Sequence, residues 1–392
     1  RIAKLLQGYI TDHPDYEFTL FFVGYVLDQV DANLLSLDNT RLFLQYDLTN
    51  EEYKQKVDEF WYQSGHLSRF FGYSEMCDEF FGAPWLQEAL ETEYDLHISD
   101  HVQVCPEVMA EAIQAKQRLN LHINFFLLPG MSQDQGFPVV PSIHSFGFLE
   151  FEGPYSLIQR AISMVTTYGA LILESSIFSM MRFHVGQLPG YQLATKTRWR
   201  DEESPLPFGI HLVLASSLVH DPHPLPPNMF MLGSPTPAQP KPVGPELNKY
   251  FNDYPDGIIF FSTGSVWTPP TYQLEALLQV FSKLKNYAVL WSCSKDVSNL
   301  NIPQNVRVVK WASQIDVLAD ERVKLFVSHC GLGSIHEAVE YHVPILAVPV
   351  QSEQRSNAKI LQKKGLAELI PQSLELDVDD IMIMTKKLLN DT

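Results

Sequence analysis

The sequence predicts an α/β protein built from two domains, and three observations support this fold class. From residue 257 to the C-terminus, apolar segments of strand length alternate with segments that have the apolar spacing of a helix. A proline-rich stretch at 221–245 precedes this alternation. The chain has 392 residues, of which 45% are hydrophobic, and this length and composition suffice for two hydrophobic cores.

The proline-rich stretch predicts where the domains separate. Its sequence, DPHPLPPNMFMLGSPTPAQPKPVGP, holds 9 of the 26 prolines of the chain. Proline at this density disfavours both helix and central strand and is typical of a semi-rigid spacer. We therefore expect an N-terminal domain at 1–232, a linker at 233–250 and a C-terminal domain at 251–392.

Charge and cysteine content exclude several classes of function. The chain has 28 basic and 46 acidic residues, a net charge of −18, without a cluster of lysine or arginine, which argues against a nucleic-acid or anionic-membrane surface. Cys77, Cys105, Cys293 and Cys330 form no C-x-x-C pair, so neither a metal site nor a disulfide framework is predicted. No apolar run is long enough to cross a bilayer, and no signal peptide is recognisable.

The N-terminal domain is predicted from weaker patterns. Tyr94–Ser99 has the composition of a strand, so Asp100 would lie at its carboxyl end. Asp100 could be a loop residue, a helix cap or a functional acid. The other expected elements are a strand at 16–25, aromatic-rich helical structure at 49–93, a helix at 105–118, a strand from 119, a helix at 156–168 and a strand at 211–216.

The C-terminal domain contains a glycine-rich turn that suits a phosphate group. The apolar strand VKLFVS ends just before His329, and the segment HCGLGS, with Gly331 and Gly333, then leads into a helix predicted to open at Ser334. The first N–H groups of such a helix have no intrahelical acceptor, and the positive end of the helix dipole lies behind them. A diphosphate would bind there.

Polar and aromatic residues flank this turn at two neighbouring strand ends. Trp311 and Gln314 precede the strand, and the apolar segment PILAVPV ends just before Glu353 and Gln354. In doubly wound sheets, ligands bind outside the carboxyl ends of the strands. The sequence therefore predicts that an indole, a phosphate-binding turn and an acid–amide pair meet in one crevice.

The spaced pattern W-x-x-Q, H-C-G-x-x-S-x-x-E and E-Q resembles the signature of the UDP-glycosyltransferases, the inverting enzymes of the UDP-glucuronosyl and UDP-glucosyl transferase type. This resemblance implies the GT-B fold, in which two Rossmann-like domains face each other across a cleft. It implies that the second domain holds a UDP-sugar and the first a small lipophilic acceptor. No metal and no cofactor beyond the UDP-sugar co-substrate is expected.

The resemblance also implies a role for each matching residue. Trp311 would stack on uracil, Gln314 would lie at the base and ribose, Glu337 would take the ribose hydroxyls, and Glu353 with Gln354 would bind the sugar hydroxyls. The diphosphate would be held by the turn, with His329, Gly331, Gly333 and Ser334. The loop after the first strand of this domain, with Gly264 and Ser265, would face the nucleotide.

Three of these residues have simpler interpretations, and two positions depart from the family pattern. Trp311 could be an ordinary core tryptophan, and Ser334 with Glu337 is also the S-x-x-E pattern of a capping box. The proline usual before Gln314 is Ser313, and the usual aspartate before Gln354 is Glu353. The longer acid leaves the identity of the donor sugar open.

Catalysis by this family implies a histidine base oriented by an aspartate, and Asp100 matches that aspartate. The resemblance places the histidine, with a first strand, before Arg1, so we expect an N-terminally truncated chain without its base. The alternative is a non-catalytic relative that binds a UDP-sugar or a partner. The expected location is intracellular: cytoplasmic, or at the endoplasmic reticulum membrane if the full-length protein carries the signal and anchor of animal relatives.

Overall fold

The computed structural model divides the chain into two compact units. Unit 1 comprises 1–146, 151–215 and 223–237, and unit 2 comprises 147–150, 216–222 and 238–392. Within these units the structure describes residues 12, 14–22, 40–44, 81–100, 115–122, 156–185, 187, 192, 210–214, 216, 225, 227–233, 240–263, 269–293, 295–349, 352–371 and 377–390.

Unit 1 consists of parallel strands and helices. Strands β1 (Phe18–Phe22) and β2 (Thr40–Leu44) pair in parallel. A second parallel sheet has its strands in chain order: β3 (Tyr94–Asp100), β4 (Ala115–His122), β5 (Ile210–Val213) and β6 (Met229–Met231). The described helices of this unit are α1 (Leu86–Glu91) and α2 (Leu157–Val185).

The prediction of a helix at 105–118 is wrong over its last four residues, because β4 already begins at Ala115. Residues 115–118, Ala-Lys-Gln-Arg, favour a helix by intrinsic propensity. Pairing with β3, in which Tyr94 lies opposite Ala115, imposes an extended backbone instead. Residues 105–114 lie outside the described part of the chain.

The segment predicted as a linker also contains regular structure. The units separate between Pro237 and Ala238, and helix α3 (Pro245–Asn252) begins within 233–250. Proline is tolerated at the first helical position, where its missing N–H would have no intrahelical acceptor. The Lys241 N–H donates to the Asp316 carboxylate at 2.8 Å, so the chain ahead of α3 is already attached to unit 2.

Unit 2 contains a six-stranded parallel sheet. The strands are β7 (Gly257–Ser262), β8 (Tyr287–Ser292), β9 (Val306–Val309), β10 (Val323–Ser328), β11 (Ile345–Ala347) and β12 (Ala367–Leu369). The order across the sheet is β12-β11-β10-β7-β8-β9. A described helix connects each pair of successive strands except β8 and β9. The helices are α4 (Thr271–Lys283), α5 (Gln314–Leu318), α6 (Leu332–Glu340), α7 (Ser352–Lys363) and α8 (Val378–Asn390).

This strand order is that of a dinucleotide-binding Rossmann sheet, with the first strand at its centre. The chain builds β7, β8 and β9 towards one edge and then returns to build β10, β11 and β12 towards the other. The order therefore reverses between β7 and β10, whose last residues, Ser262 and Ser328, are paired. A ligand of such a sheet binds at this switch point, outside the carboxyl ends of the two strands.

The two faces of the sheet in unit 2 are both covered, which explains its continuous apolar strands. On one face Phe261 stacks on Trp291 with ring centroids 5.0 Å apart, and on the other Phe260 stacks on Phe326 at 5.2 Å. Successive side chains of β7 point to opposite faces, and all six of its residues are buried. The core thus holds the carboxyl ends of β7 and β10 in a fixed position.

No helix in the described part of the chain combines the length and the apolarity that crossing a membrane requires.

Candidate functional site

The turn after β10 presents backbone N–H groups at the switch point of the sheet. Cys330 has a φ of 62°, a left-handed conformation that non-glycine residues adopt only rarely. It turns the chain so that α6 begins at Leu332, two residues before the predicted Ser334, with Gly331 as N-cap. The Ser334 N–H is already bonded to the Gly331 carbonyl at 2.9 Å. The N–H groups of Gly331, Leu332 and Gly333 precede this bond and can donate to an anion.

The imidazole of His329 lies directly over this turn. A Cβ atom added at Gly331 would come within 2.5 Å of His329 Nε2. The Gly331 backbone itself, with φ −63° and ψ 140°, is accessible to any residue. Glycine is therefore needed here for the space that the imidazole occupies, and the structure brings His329 and the turn together as predicted.

Cys330 contributes to the turn through its backbone, because its thiol is fully buried. Burial raises the pKa of this thiol well above its usual range, so the group stays protonated at neutral pH. Its N–H donates to Ser328 Oγ at 3.1 Å. Cys330 is thus a structural residue of the turn and has no role as a nucleophile.

Gln314, Ser334 and Glu337 form one hydrogen-bonded cluster beside the turn. The Gln314 amide nitrogen donates to Ser334 Oγ at 3.1 Å and to Glu337 Oε2 at 2.5 Å. Ser334 and Glu337 are both buried. Ser334 is the third residue of α6, and the N-cap is Gly331. The capping-box interpretation of the S-x-x-E pattern is therefore wrong, and the pair instead binds Gln314.

Trp311 is a surface residue. It is 73% exposed and precedes α5, which opens with Gln314. The interpretation of Trp311 as a core residue is therefore wrong. Ser313, the N-cap of α5, has a φ of −65°, the angle that proline enforces. Ser313 therefore has the φ angle that the family's proline would impose at this position.

The first turn of α7 carries the predicted acid–amide pair. Glu353 and Gln354 lie within α7, and Gln354 is 6% exposed; the side chain of Glu353 is outside the description. Sequence analysis missed Asn357, one helical turn further, which is 4% exposed and donates its amide N–H to the Cys330 carbonyl at 3.1 Å. Its spacing of three residues from Gln354 was the available signal, because such residues share one face of a helix.

Gly264, Ser265 and Asp100 are the remaining predicted site residues, and the side chains of Ser265 and Asp100, like that of Glu353, are outside the description. Gly264 and Ser265 lie outside the described residues, although β7, which precedes them, ends at the switch point. Asp100 is the last residue of β3, opposite Leu121 of β4. Its position at the carboxyl end of a strand is as predicted, and its catalytic role stays a prediction.

The strand order, the helix N-terminus at the switch point and the polar cluster beside it define a Rossmann-type protein of the α/β class. The family model described as UDP-glucoronosyl and UDP-glucosyl transferase matches residues 12–392. The chain belongs to this family.

Two relatives and one solved structure show the extent of the similarity. UDP-glucuronosyltransferase 1A3 from Homo sapiens is 24% identical over 98% of this chain and 69% of its own length. UDP-glucosyltransferase 2 from Dactylopius coccus is 32% identical over 43% of this chain and 33% of its own length. The structure of Os79 from O. sativa in complex with UDP gives a TM-score of 0.61 at 15% identity, covering 100% of this chain and 89% of that one.

These comparisons establish the fold, and several of them cover only part of the related proteins. The structural neighbours have the GT-B fold, so the predicted fold class is confirmed. Matched segments span 25% to 44% of the length of several curated relatives.

Proposed function

We propose that this chain binds a UDP-sugar in unit 2 and that the protein transfers its hexosyl or glucuronosyl group to a hydroxyl of a small lipophilic acceptor. The observation that carries this proposal is the arrangement at the switch point. There, the N-terminus of α6 lies under His329, and Gln314 of α5 binds Ser334 and Glu337 of α6. The exposed Trp311 lies three residues before Gln314. The lipophilic class of acceptor rests on the family resemblance.

Each group would meet one part of the donor. The exposed indole of Trp311 offers a flat surface for the uracil ring. The Glu337 carboxylate can accept hydrogen bonds from ribose hydroxyls, since it is now bonded to an uncharged amide that a hydroxyl can replace. The N–H groups after Cys330, together with His329 and Ser334, would take the diphosphate.

The proposed reaction is a direct displacement with inversion. The acceptor oxygen forms a bond to the anomeric carbon while the bond from that carbon to the UDP oxygen breaks. The negative charge that develops on the leaving diphosphate falls at the N-terminus of α6, whose dipole stabilises it. A histidine base, oriented by Asp100, would take the proton of the acceptor hydroxyl. The proposal invokes no cofactor besides the UDP-sugar.

The test of donor binding is titration calorimetry with UDP, UDP-glucose and UDP-glucuronate, with ADP as the control nucleotide. We expect UDP to bind with a free energy of about −7 to −8 kcal/mol, which corresponds to a micromolar dissociation constant. ADP should bind more weakly, because the site is expected to select uracil. Absence of UDP binding at millimolar concentration would contradict the proposal.

Transfer itself is tested by incubating the protein with each UDP-sugar and a panel of phenolic and sterol acceptors. Glycosylated product of inverted anomeric configuration, detected by NMR, supports the proposed reaction. Retained configuration contradicts it. Tight UDP-sugar binding without product on any acceptor supports the alternative of a non-catalytic UDP-sugar-binding protein.

We further predict that Glu353 contacts the sugar and not the nucleotide. Glu353→Ala is expected to weaken UDP-glucose or UDP-glucuronate binding about fivefold to tenfold, the value of one or two hydrogen bonds, and to leave UDP binding unchanged. Calorimetry with UDP and both UDP-sugars measures this difference. Glu340→Ala, at an exposed glutamate at the end of α6, is the matched control and should change neither. Equal losses for UDP and UDP-sugar would refute the assignment.

A further inference from the structure

The peptide between Cys330 and Gly331 is the first part of the turn that can meet a phosphate. In a trans peptide the C=O and the N–H point in opposite directions. A contact that holds the Cys330 carbonyl therefore also sets the direction of the Gly331 N–H. The left-handed conformation of Cys330, with φ at 62°, is unfavourable for a non-glycine residue and requires such support from its surroundings.

Asn357 supplies that contact from a different element. Its amide Nδ2 lies 3.1 Å from the Cys330 carbonyl oxygen, and the side chain is 4% exposed. A hydrogen bond excluded from water in this way has a fixed geometry, because neither group can exchange its partner for solvent. Since α7 is held in place by Ala358 and Leu361, both buried in the core of unit 2, the amide has a rigid base.

We propose that Asn357 is a positioning residue, which orients the Gly331 N–H toward the diphosphate of the donor through its bond to the Cys330 carbonyl. This inference rests on the proposed function for the identity of the ligand. Gln354 lies one turn earlier on the same helix, within the predicted sugar-binding pair. Helix α7 would thus couple the sugar end of the donor site to its phosphate end.

The experiment compares UDP with uridine, which lacks the diphosphate. Asn357→Leu keeps the number and branching of the side-chain heavy atoms and removes the donor. Asn357→Ala is a second, smaller variant that a tightly packed site accommodates more easily. We expect both to weaken UDP binding about tenfold, the value of one buried hydrogen bond, and to change uridine binding less than twofold. Parallel losses for both ligands, or no loss for either, would overturn the proposal.

A second buried asparagine in the same unit provides the control. Asn305 is 6% exposed and donates its amide to the carbonyls of Phe281, Leu284 and Tyr287 at 2.9 to 3.1 Å. Asn305→Ala is expected to lower the thermal stability, because it leaves these carbonyls without this donor. It should leave the ratio of UDP to uridine affinity unchanged. A change in that ratio as large as for Asn357→Ala would mean that general loosening of the unit explains both results.

Hydrogen exchange in the protein without nucleotide gives a readout that does not depend on UDP binding. Peptides covering 328–336 contain the bonded N–H groups of Cys330 and Ser334. These N–H groups should exchange faster in Asn357→Leu than in the wild type, and at the wild-type rate in Asn305→Ala. If the wild type fails to bind UDP, the proposed function fails, while faster exchange still supports the positioning role. Unchanged exchange in both Asn357 variants would overturn it.

Discussion

Gly331→Ala is expected to lower the affinity for UDP by about tenfold to a hundredfold, corresponding to roughly 1.4 to 2.8 kcal/mol. The added methyl group would lie 2.5 Å from His329 Nε2, well inside contact distance, so the imidazole must leave its position over the turn. The backbone angles of Gly331 suit alanine, and a ring at the end of a side chain can move. Thermal stability should therefore change little, and calorimetry should show the loss for UDP and not for uridine.

A double-mutant cycle tests whether this effect passes through the imidazole. On a His329→Ala background, Gly331→Ala should cause little further loss, because the ring that it displaces is already absent. Gly244→Ala is the matched control, since a Cβ atom at Gly244 meets nothing within 4 Å. Additive losses in the cycle would show that the methyl group acts on the turn itself, and our account of Gly331 would be wrong.

Trp311→Ala is expected to weaken UDP and uridine binding by the same factor, about fivefold to a hundredfold. Stacking of a base on an aromatic side chain is worth about 1–3 kcal/mol by alanine substitution. Since the indole is 73% exposed, its removal creates no cavity, and we expect an unchanged melting temperature. Calorimetry with both ligands and a thermal melt of each protein check the two statements.

Trp311→Phe is the control for ring stacking. It retains an aromatic face and should recover most of the affinity that Trp311→Ala loses. A loss confined to UDP would place the indole near the diphosphate instead of the base. A fall in the melting temperature of several degrees would show that Trp311 contributes to packing despite its exposure.

The sequence predicted unit 2 well because its strands are buried on both faces. The run at 258–261 contains only isoleucine and phenylalanine, and it lies within the observed strand β7, all of whose residues are buried. The order of the strands is not a property of any one run. Pairing of β7 with β10 follows from tertiary packing, and no local pattern encodes it. In unit 1, strand pairing with β3 likewise outweighed the helix propensity of residues 115–118, which form a strand.

Site residues that belong to a spaced sequence motif could be predicted from the sequence. Residues whose role depends on contacts made only in the folded structure could not. The turn, the indole and Gln314 were found from their spacing. The pattern S-x-x-E left two interpretations, and only the position of Ser334 as third residue of α6 separates them. Asn357 was missed because its partner is a backbone carbonyl 27 residues earlier, and a sequence does not show which carbonyls lack a donor.

The adjacency of β7 and β10 also affects how this protein reaches its native state. Residues 263–322 lie between these strands, so their pairing closes a long loop, and such contacts form late and slowly in folding. The switch point, and with it the nucleotide site, exists only after that closure. UDP, bound there as proposed, would at about 100 times its dissociation constant stabilise the completed sheet by about 2.7 kcal/mol. The supply of UDP-sugar would thus raise the fraction of chains in which unit 2 is folded.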